Sequence, residues 1–295
     1  MPVTDHEPDV DELPTATRPA TPQTPHRDAE ADKLYNRALA TLDAAEAAVE
    51  TEIAREQSDQ PAGGKEVGLA VSVLIPVYNE RGTIREIVER VQAAGLHAEI
   101  VIVDDCSTDG TRDILIELEK QQDVRVVLQG YNRGKGAALR AAMQHARGDV
   151  LLIQDADLEY DPADYERLLD PLRRREADVV FGSRFLENAQ QDPSWWHRFG
   201  NGVLTFASNL TTGQRLTDME TCYKVFRRDA VRGMVLREDR FGFEPEITAK
   251  LARRKCRIVE RPVRYQGRGY EEGKKIGVRD GLRALWCILR YAWVD

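Results

Sequence analysis

Between residues 71 and 183, short runs of β-branched and aliphatic residues alternate with segments whose apolar residues recur at helical spacing. The apolar runs are Val71–Val77, Glu99–Val103, Val124–Leu128, Val150–Ile153 and Val179–Phe181. Such runs are typical of strands that are buried on both faces, and their alternation with helices indicates right-handed crossovers. The pattern therefore predicts an α/β fold, in which a doubly wound, mostly parallel sheet carries helices on both faces.

Three acids follow the fourth apolar run at alternate positions: Asp155, Asp157 and Glu159. If the chain stays extended beyond the strand, side chains two residues apart point to the same side. Crowded carboxylates resist ionisation unless a cation lies between them, and Mg²⁺ or Mn²⁺ suits such oxygen ligands. The stretch is a candidate metal–diphosphate site at the edge where open α/β sheets bind ligands. The alternative is a solvated acidic turn closed by Asp161–Pro162.

The other apolar runs also end in polar loops, at Tyr78–Glu80, Asp104–Asp105, Gly130–Gly136 and Ser183–Arg184. In a doubly wound sheet these loops lie along one edge, which favours a binding site there. Two of them also have simpler interpretations. The acids at 104–105 and the hydroxyls that follow can cap a helix, and Gly134–Gly136 lacks the spacing of a phosphate loop and indicates a tight helix entry.

The N-terminal part of the chain has a different composition. Residues 1–29 are rich in proline, threonine and acids, which predicts a disordered tail. Residues 30–57 carry a thin apolar stripe at helical spacing and are interpreted as an amphipathic helix, a candidate contact for a homo-oligomer. Proline and paired glycines mark residues 58–69 as a linker, so the globular domain is assigned to 70–295.

Charge is distributed unevenly along a chain whose formal net charge is −8. Residues 1–66 carry 15 acids and six bases, whereas residues 250–290 carry 13 bases and four acids. A basic segment on a nearly neutral domain suits an anionic partner such as a nucleotide or a phospholipid surface. Nucleic acid is the weakest candidate, because the domain is not basic overall and has no aromatic–basic stacking motif.

Several features concern membranes and compartment. There is no apolar run of about 18 residues, so no transmembrane segment is predicted, and the N-terminus lacks the apolar core of a secretory signal. The four cysteines are far apart, as is typical of reduced thiols. We expect a cytoplasmic protein that meets the inner face of the membrane only peripherally, through a loop at Trp195–Trp196 and the basic segment. The stripe Leu282, Leu285 and Leu289 is interpreted as core packing rather than as a membrane anchor.

Six ordered blocks resemble the family 2 glycosyltransferases, and within them the polyprenol-phosphate sugar synthases such as the dolichyl-phosphate mannose synthases. The blocks are Ile75–Glu80, Val103–Thr111, Asn132–Ala137, Asp155–Glu159, Gly182–Arg184, and Thr217–Asp218 with Cys222–Phe226. The resemblance implies a Rossmann-like fold of the GT-A type. It also implies an inverting, metal-dependent hexosyltransferase that moves a hexose from GDP- or UDP-hexose to a polyprenyl phosphate.

The resemblance further implies roles for individual residues. The nucleotide-sugar-binding residues would be Pro76, Tyr78, Glu80, Val103, Asp104, Asp105, Asp155, Ala156, Asp157, Arg184 and Lys275. The first three would hold the base and ribose, the next three would read the base edge, and Arg184 and Lys275 would neutralise the diphosphate. Asp155, Asp157 and Glu159 would bind Mg²⁺ or Mn²⁺. Glu159 stands where the mannose synthases carry Gln, which keeps an oxygen ligand and adds a negative charge.

The acceptor decides whether the reaction needs a general base. A lipid phosphate is largely ionised near pH 7, since such groups have a second pKa of about 6. A strong general base would then be unnecessary, whereas a hydroxyl acceptor makes Asp218 the candidate base. The candidate catalytic residues are therefore Asp157, Arg184 and Asp218. Two alternatives stay open: the same donor with a soluble glycan, protein or small-molecule acceptor, and a nucleotide-binding regulatory protein on the same scaffold.

Overall fold

A computed structural model of the chain describes residues 68–186, 195–267 and 278–293. The predicted N-terminal tail, the amphipathic helix 30–57, nearly all of the linker and the candidate phosphate ligand Lys275 lie outside the described residues. Their assignments stay predictions.

The described residues contain seven β-strands that form one sheet. The strands are β1 (Val71–Val77), β2 (Glu99–Asp104), β3 (Val124–Leu128), β4 (Val150–Ile153), β5 (Val179–Ser183), β6 (Lys224–Arg227) and β7 (Ile258–Pro262). Their order is β3-β2-β1-β4-β6-β5-β7, and every neighbouring pair is parallel except the two that β6 makes with β4 and β5. The predicted doubly wound, mostly parallel sheet is confirmed.

The antiparallel direction of β6 determines which loop reaches the functional edge. Lys224, the first residue of β6, lies opposite Phe181 near the carboxyl end of β5. The loop that precedes β6 therefore enters at the same edge at which the parallel strands β1, β2, β4 and β5 end. This places Thr217–Tyr223 beside the acidic residues that follow β4, although the two stretches are far apart in sequence.

Helices cover both faces of this sheet. The helices described are α1 (Ile84–Ala94), α2 (Thr111–Leu118), α3 (Lys135–His145), α4 (Tyr165–Arg173), α5 (Trp195–Thr212), α6 (Arg228–Val231), α7 (Phe243–Arg253) and α8 (Val278–Trp293). Successive strand residues point to opposite faces, so Val73 and Ile75 join a core with α1, α2 and α4, while Leu74 joins a core with α3, α7 and α8. The predicted packing of helices on both faces is confirmed.

The outer side of α8 differs from the prediction. Leu282 is 63% exposed and Leu289 is 54% exposed, so the interpretation of this stripe as core packing is wrong. The core contact of α8 comes instead from the other side of the helix, where Ala284, Cys287 and Ile288 are buried. Trp195–Trp196, predicted as a loop, begins α5. None of the helices described combines the length and the apolar character that crossing a bilayer requires.

Gly136 allows the start of α3 to lie directly against the segment Glu238–Asp239. A Cβ atom at Gly136 would lie within 2.2 Å of the Glu238 carbonyl oxygen, and the next amide, that of Ala137, donates to the Asp239 carbonyl at 3.1 Å. The glycines of this motif therefore have a packing role, as the interpretation of a tight helix entry predicts.

Gly136→Ala is expected to lower the free energy of unfolding by about 1–3 kcal/mol, because the backbone of residues 238–240 must shift to admit the methyl group. Gly202→Ala is the matched control, since Gly202 lies in α5 with nothing within 4 Å of its added Cβ. That change should be neutral or stabilise the protein by up to about 1 kcal/mol. Denaturant unfolding followed by circular dichroism measures both, and equal stabilities would contradict the packing role.

Candidate active site

Gln154, directly after β4, fixes the backbone from which the acidic stretch departs. Its side chain is fully buried, and its Oε1 atom accepts hydrogen bonds from the hydroxyls of Tyr165 and Tyr223, both at 2.7 Å. A buried amide held by two tyrosines leaves little freedom at the strand end. The next residue, Asp155, is thereby held in a defined position at the edge of the sheet.

The three acids after β4 do not continue along an extended chain. The backbone turns after Asp155, and Leu158 adopts the left-handed conformation with φ of 64°. Asp157 Oδ1 accepts the Glu159 amide at 3.1 Å, and the Glu159 carboxylate accepts the Tyr265 hydroxyl at 2.9 Å. The premise that alternate side chains point the same way is therefore wrong, because a turn replaces the extended chain.

The described residues contain no group of three His, Cys, Asp or Glu side chains arranged to hold a metal ion. Asp155, Asp157 and Glu159 thus do not form a preassembled three-carboxylate site. The chemistry of the donors still fits Mg²⁺ or Mn²⁺, since both prefer oxygen ligands. Mg²⁺ usually keeps several waters and needs only one or two carboxylates plus substrate phosphates. Metal binding at Asp155 and Asp157 therefore stays a prediction.

Asp155 has a cationic partner, Lys135, at the N-terminus of α3. The ammonium lies 2.8 Å from Asp155 Oδ1 and 3.6 Å from the Glu244 carboxylate, and it donates to the Cys222 sulfur at 2.8 Å. Although burial opposes its charge, Asp155 and Glu244 hold the pKa of Lys135 well above its ordinary value. Lys135 is therefore a charged member of the site, beyond the tight helix entry to which the sequence assigned it.

Arg184, at the end of β5, is held by Asp218 from the loop before β6. The guanidinium makes two parallel hydrogen bonds to the carboxylate, at 2.7 and 2.8 Å, and the Arg184 amide donates to it at 3.1 Å. Asp218 is fully buried, while 16% of the Arg184 side chain is exposed. The arrangement presents one fixed cation at the sheet edge and occupies both oxygens of Asp218.

Glu260 on β7 holds the loop that carries Asp218. Its carboxylate accepts the amides of Thr217 and Asp218, at 2.8 to 3.0 Å, and the Thr217 hydroxyl at 3.0 Å. Burial, although opposed by these hydrogen bonds, raises the pKa of Glu260. One network thus joins β7, the end of β5 and the loop before β6, and in it Glu260 orients Asp218 and Asp218 orients Arg184.

A buried lysine at the start of β6 holds the end of the loop that carries Asp218. Lys224 donates to the carbonyls of Met219 and Thr221, and its ammonium lies 4.6 Å from the centroid of the Phe181 ring. Burial lowers the pKa of Lys224 below its ordinary value. Its two bonds to main-chain carbonyls fold the segment 219–224 back onto the strand and keep the loop at the functional edge.

The side chains predicted to read the nucleotide base contact other residues of the protein. Val103 is fully buried in the core, and the Asp104 carboxylate is buried against Arg112 at 2.6 Å. Asp105 accepts the amides of Arg133 and Gly134, both at 2.7 Å. Asp104 and Asp105 therefore shape the loops after β2 and β3, and base recognition by these groups stays a prediction.

The remaining predicted nucleotide ligands lie at the end of β1 and after β4. Tyr78 is 40% exposed and Pro76 is half-buried, while Glu80 accepts the Thr83 hydroxyl at 2.7 Å. Ala156 is buried in the core. Tyr78 thus lies partly exposed at the same edge as Arg184 and Asp155, where an aromatic ring suits the stacking of a nucleobase.

Glu220 is a member of this loop that the sequence did not single out. Its Oε1 atom is buried without a hydrogen-bond partner. Burial and the Glu244 carboxylate raise the pKa of Glu220 to about 8, against the opposing charges of Lys224 and Arg184. Glu220 is therefore a carboxyl group that takes up and releases a proton near neutral pH, close to the Arg184–Asp218 pair.

The comparisons with known proteins agree with this architecture. The model of the family described as Glycosyl transferase family 2 matches residues 72–234, and the chain belongs to this family. The glucosyl-3-phosphoglycerate synthase of Mycobacterium tuberculosis, crystallised with UDP, superposes with a TM-score of 0.60 at 20% identity, covering 80% of this chain and 87% of that one. The same enzyme was also crystallised with Mn²⁺, UDP-glucose and phosphoglyceric acid. This likeness establishes the GT-A fold.

Two curated relatives are similar in sequence. Glycosyltransferase AglJ of Haloferax volcanii is 33% identical over 200 residues, which are 68% of this chain and 64% of that protein. An undecaprenyl-phosphate 4-deoxy-4-formamido-L-arabinose transferase of Edwardsiella ictaluri is 33% identical over 210 residues, 69% of this chain and 62% of that protein. The chain thus spans less than two thirds of the length of these relatives.

The raised pKa of Glu220 predicts a pH dependence of stability. Because the folded pKa of about 8 lies above the ordinary value of 4.5, the native state holds an extra proton between these pH values. The free energy of unfolding should therefore fall as the pH rises through that window. Glu220→Gln, which is neutral throughout, should gain on the order of a few kcal/mol relative to the wild type between pH 5 and 8.

Denaturant unfolding at several pH values measures this difference. Glu89→Gln is the control, because Glu89 is exposed on α1 and its replacement should leave the pH dependence unchanged. Parallel stability curves for the wild type and Glu220→Gln would contradict the raised pKa.

Proposed function

We propose that the protein is an inverting, metal-dependent glycosyltransferase that moves a hexose from a nucleotide sugar, GDP- or UDP-hexose, to a polyprenyl phosphate. The observation that carries the proposal is the fixed cation at the sheet edge, Arg184 held by Asp218, beside the acidic turn after β4. A preorganised guanidinium at this position can stabilise the charge that grows on a departing diphosphate. Family membership and the names of the two relatives support the reaction class.

The donor would lie across the carboxyl ends of β1, β4 and β5. The exposed ring of Tyr78 offers a surface for the base, and Arg184 offers charge to the diphosphate. Asp155 and Asp157 would hold Mg²⁺ or Mn²⁺, whose contribution when bound is to neutralise negative charge on the leaving group. The ion pair with Lys135, at 2.8 Å, holds Asp155 in a defined orientation at this edge, so that the carboxylate can act as a ligand.

The geometry of Asp218 favours a phosphate acceptor. A general base needs a carboxylate oxygen that can reach the acceptor hydroxyl, whereas both oxygens of Asp218 bind Arg184 and the residue is fully buried. An ionised phosphate attacks the anomeric carbon without giving up a proton. The leaving nucleoside diphosphate departs from the opposite side, so the configuration inverts. Asp218 then serves to position Arg184.

We propose that the protein works in the cytoplasm at the inner face of the membrane, where it can reach both a water-soluble donor and a lipid-linked phosphate. It also includes the peripheral lipid contact expected from the basic C-terminal part of the sequence. The relative named for undecaprenyl phosphate supports an acceptor of this chemical class. Homo-oligomerisation through residues 30–57 is part of the same proposal.

Transfer from a panel of nucleotide sugars, with and without a polyprenyl phosphate and Mn²⁺, tests the function. We expect turnover that depends on both the lipid phosphate and the divalent ion. Asp157→Asn should lower kcat by about 100-fold or more, since charge neutralisation of the leaving group is weakened. Asp161→Asn, in the same acidic stretch, is the control and should keep most of the activity. Turnover on soluble hydroxyl acceptors alone, or nucleotide binding without turnover, would refute the proposal.

A double-mutant cycle separates positioning by Asp218 from proton abstraction. If Asp218 acts only through Arg184, Asp218→Asn should slow transfer to the lipid phosphate by about 10- to 100-fold in the wild type and have little further effect on Arg184→Gln. If Asp218 acted as a general base, Asp218→Asn would instead slow transfer by the same factor in the wild type and in Arg184→Gln. Additive losses, together with a change in the pH–rate profile on Asp218→Asn, would contradict the positioning role.

A further inference from the structure

Exposed apolar side chains are concentrated on α5 and α8, two helices that pack against each other. Nine of the fourteen exposed large apolar residues in the described part of the chain lie on these helices. They are Phe199, Val203, Phe206, Leu210, Leu282, Leu285, Trp286, Leu289 and Trp293, and together they are named the α5–α8 face.

The spacing of these residues places them on one side of each helix. On α5 they recur at intervals of four, three and four residues. On α8 they stand 3, 4, 7 and 11 residues after Leu282, so that both sets follow the period of a single helical stripe. The opposite side of α8 is also apolar, since Ile288 and Tyr291 are buried against the domain, whereas the buried side of α5 includes the polar residues Thr205 and Ser208. A helix that is apolar on both sides, such as α8, is typical of an environment that covers the outer side as well.

The charges on the two helices indicate what covers this face. In the sequence, α5 and α8 carry four arginines, Arg198, Arg279, Arg283 and Arg290, and one acid, Asp280. The guanidinium groups of Arg283 and Arg290 lie 4.4 and 5.0 Å from the centroid of the Trp286 ring. Aromatic and aliphatic residues bordered by arginines are typical of helices that lie in the headgroup region of a bilayer.

A second copy of the chain is a poorer fit to the same surface. Arg283 is paired with the Glu238 carboxylate at 3.0 Å. Self-association through this face would still bring Arg198 and Arg290 of one copy towards those of the other, and like charges across an interface oppose association. An anionic lipid surface is complementary both to the arginines and to the apolar stripe.

The α5–α8 face is connected to the candidate active site. The Thr205 hydroxyl of α5 accepts a hydrogen bond from the Met219 amide at 3.1 Å. The Asn209 side chain donates to the Leu216 carbonyl at 2.7 Å and accepts from the Leu216 amide at 2.9 Å. These bonds tie α5 to the loop that carries Asp218. A bilayer in contact with the face would therefore lie next to the segment that orients Arg184, where a lipid-linked phosphate has to arrive.

We propose that the α5–α8 face docks on an anionic lipid bilayer, inserting its apolar side chains among the headgroups and acyl chains while the arginines bind lipid phosphates. The inference rests on the proposed lipid acceptor for its link to catalysis. The docking itself is carried by the exposed residues and their charges, and it can be measured without substrate.

The test uses the full 295-residue chain and sedimentation with sucrose-loaded vesicles. The vesicles contain either phosphatidylcholine alone or phosphatidylcholine with about a third of phosphatidylglycerol, a composition rich in anionic lipid. The variant carries Phe206→Ser, Leu210→Ser, Leu289→Ser and Trp293→Ser, all at side chains that are at least half exposed. The matched control carries Ile116→Ser and Val235→Ser, which are 52% and 65% exposed and lie outside the face.

The wild type and the control should bind the anionic vesicles better than the neutral ones, and the variant should lose at least about tenfold in partition coefficient. Unchanged binding of the variant, or no vesicle binding by the wild type, would overturn the proposal. A wild-type dimer in sedimentation velocity that the four substitutions dissociate would also overturn it, because the face would then bind a second copy.

A separate assay keeps this proposal distinct from the proposed function. Transfer to a short-chain, water-soluble prenyl phosphate needs no bilayer, so the variant should retain it. If the wild type binds vesicles but transfers sugar to no prenyl phosphate, the docking surface stands and the proposed function fails. If it transfers sugar but does not bind vesicles, the docking surface fails alone.

Discussion

The site depends on one interaction, the buried ion pair between Arg184 and Asp218. A guanidinium at the rim of a sheet is useful in catalysis only if it is held still, and a buried carboxylate with two parallel hydrogen bonds does this. Breaking a buried pair leaves an uncompensated charge at a cost of about 3–5 kcal/mol. Glu260 and Lys224 fold the loop so that Asp218 meets Arg184, and the antiparallel β6 brings that loop to the edge.

Much of the fold could be predicted from the sequence, because buried parallel strands have a strong signature. Val150–Ile153 is a continuous apolar run, and Val71–Val77 is interrupted only by Ser72. The structure begins and ends both strands at the same residues. The geometry of the candidate site was harder to predict from the sequence. The acidic stretch was expected to stay extended, yet Leu158 turns the chain, and no local rule marks an aliphatic residue as left-handed.

The residues that sequence reasoning missed owe their roles to contacts across the fold. Lys135 meets Asp155 only because α3 begins at the edge where β4 ends, and Glu260 meets Asp218 only because β7 pairs with β5. The exposed stripe of α8 was also misassigned, since an apolar stripe predicts that something covers it but does not reveal what. For Lys135, the one local signal of a role in the site was its position within a glycine-rich helix entry.

The central claim is that Arg184, fixed by Asp218, faces the diphosphate of a nucleotide sugar. A crystal structure of the protein with a nucleoside diphosphate and Mn²⁺ tests it most directly. The account predicts the terminal phosphate within about 3 Å of the Arg184 guanidinium, with the metal on Asp155 or Asp157. A nucleotide bound at the sheet edge with its phosphates directed away from Arg184, or bound elsewhere on the domain, would contradict it.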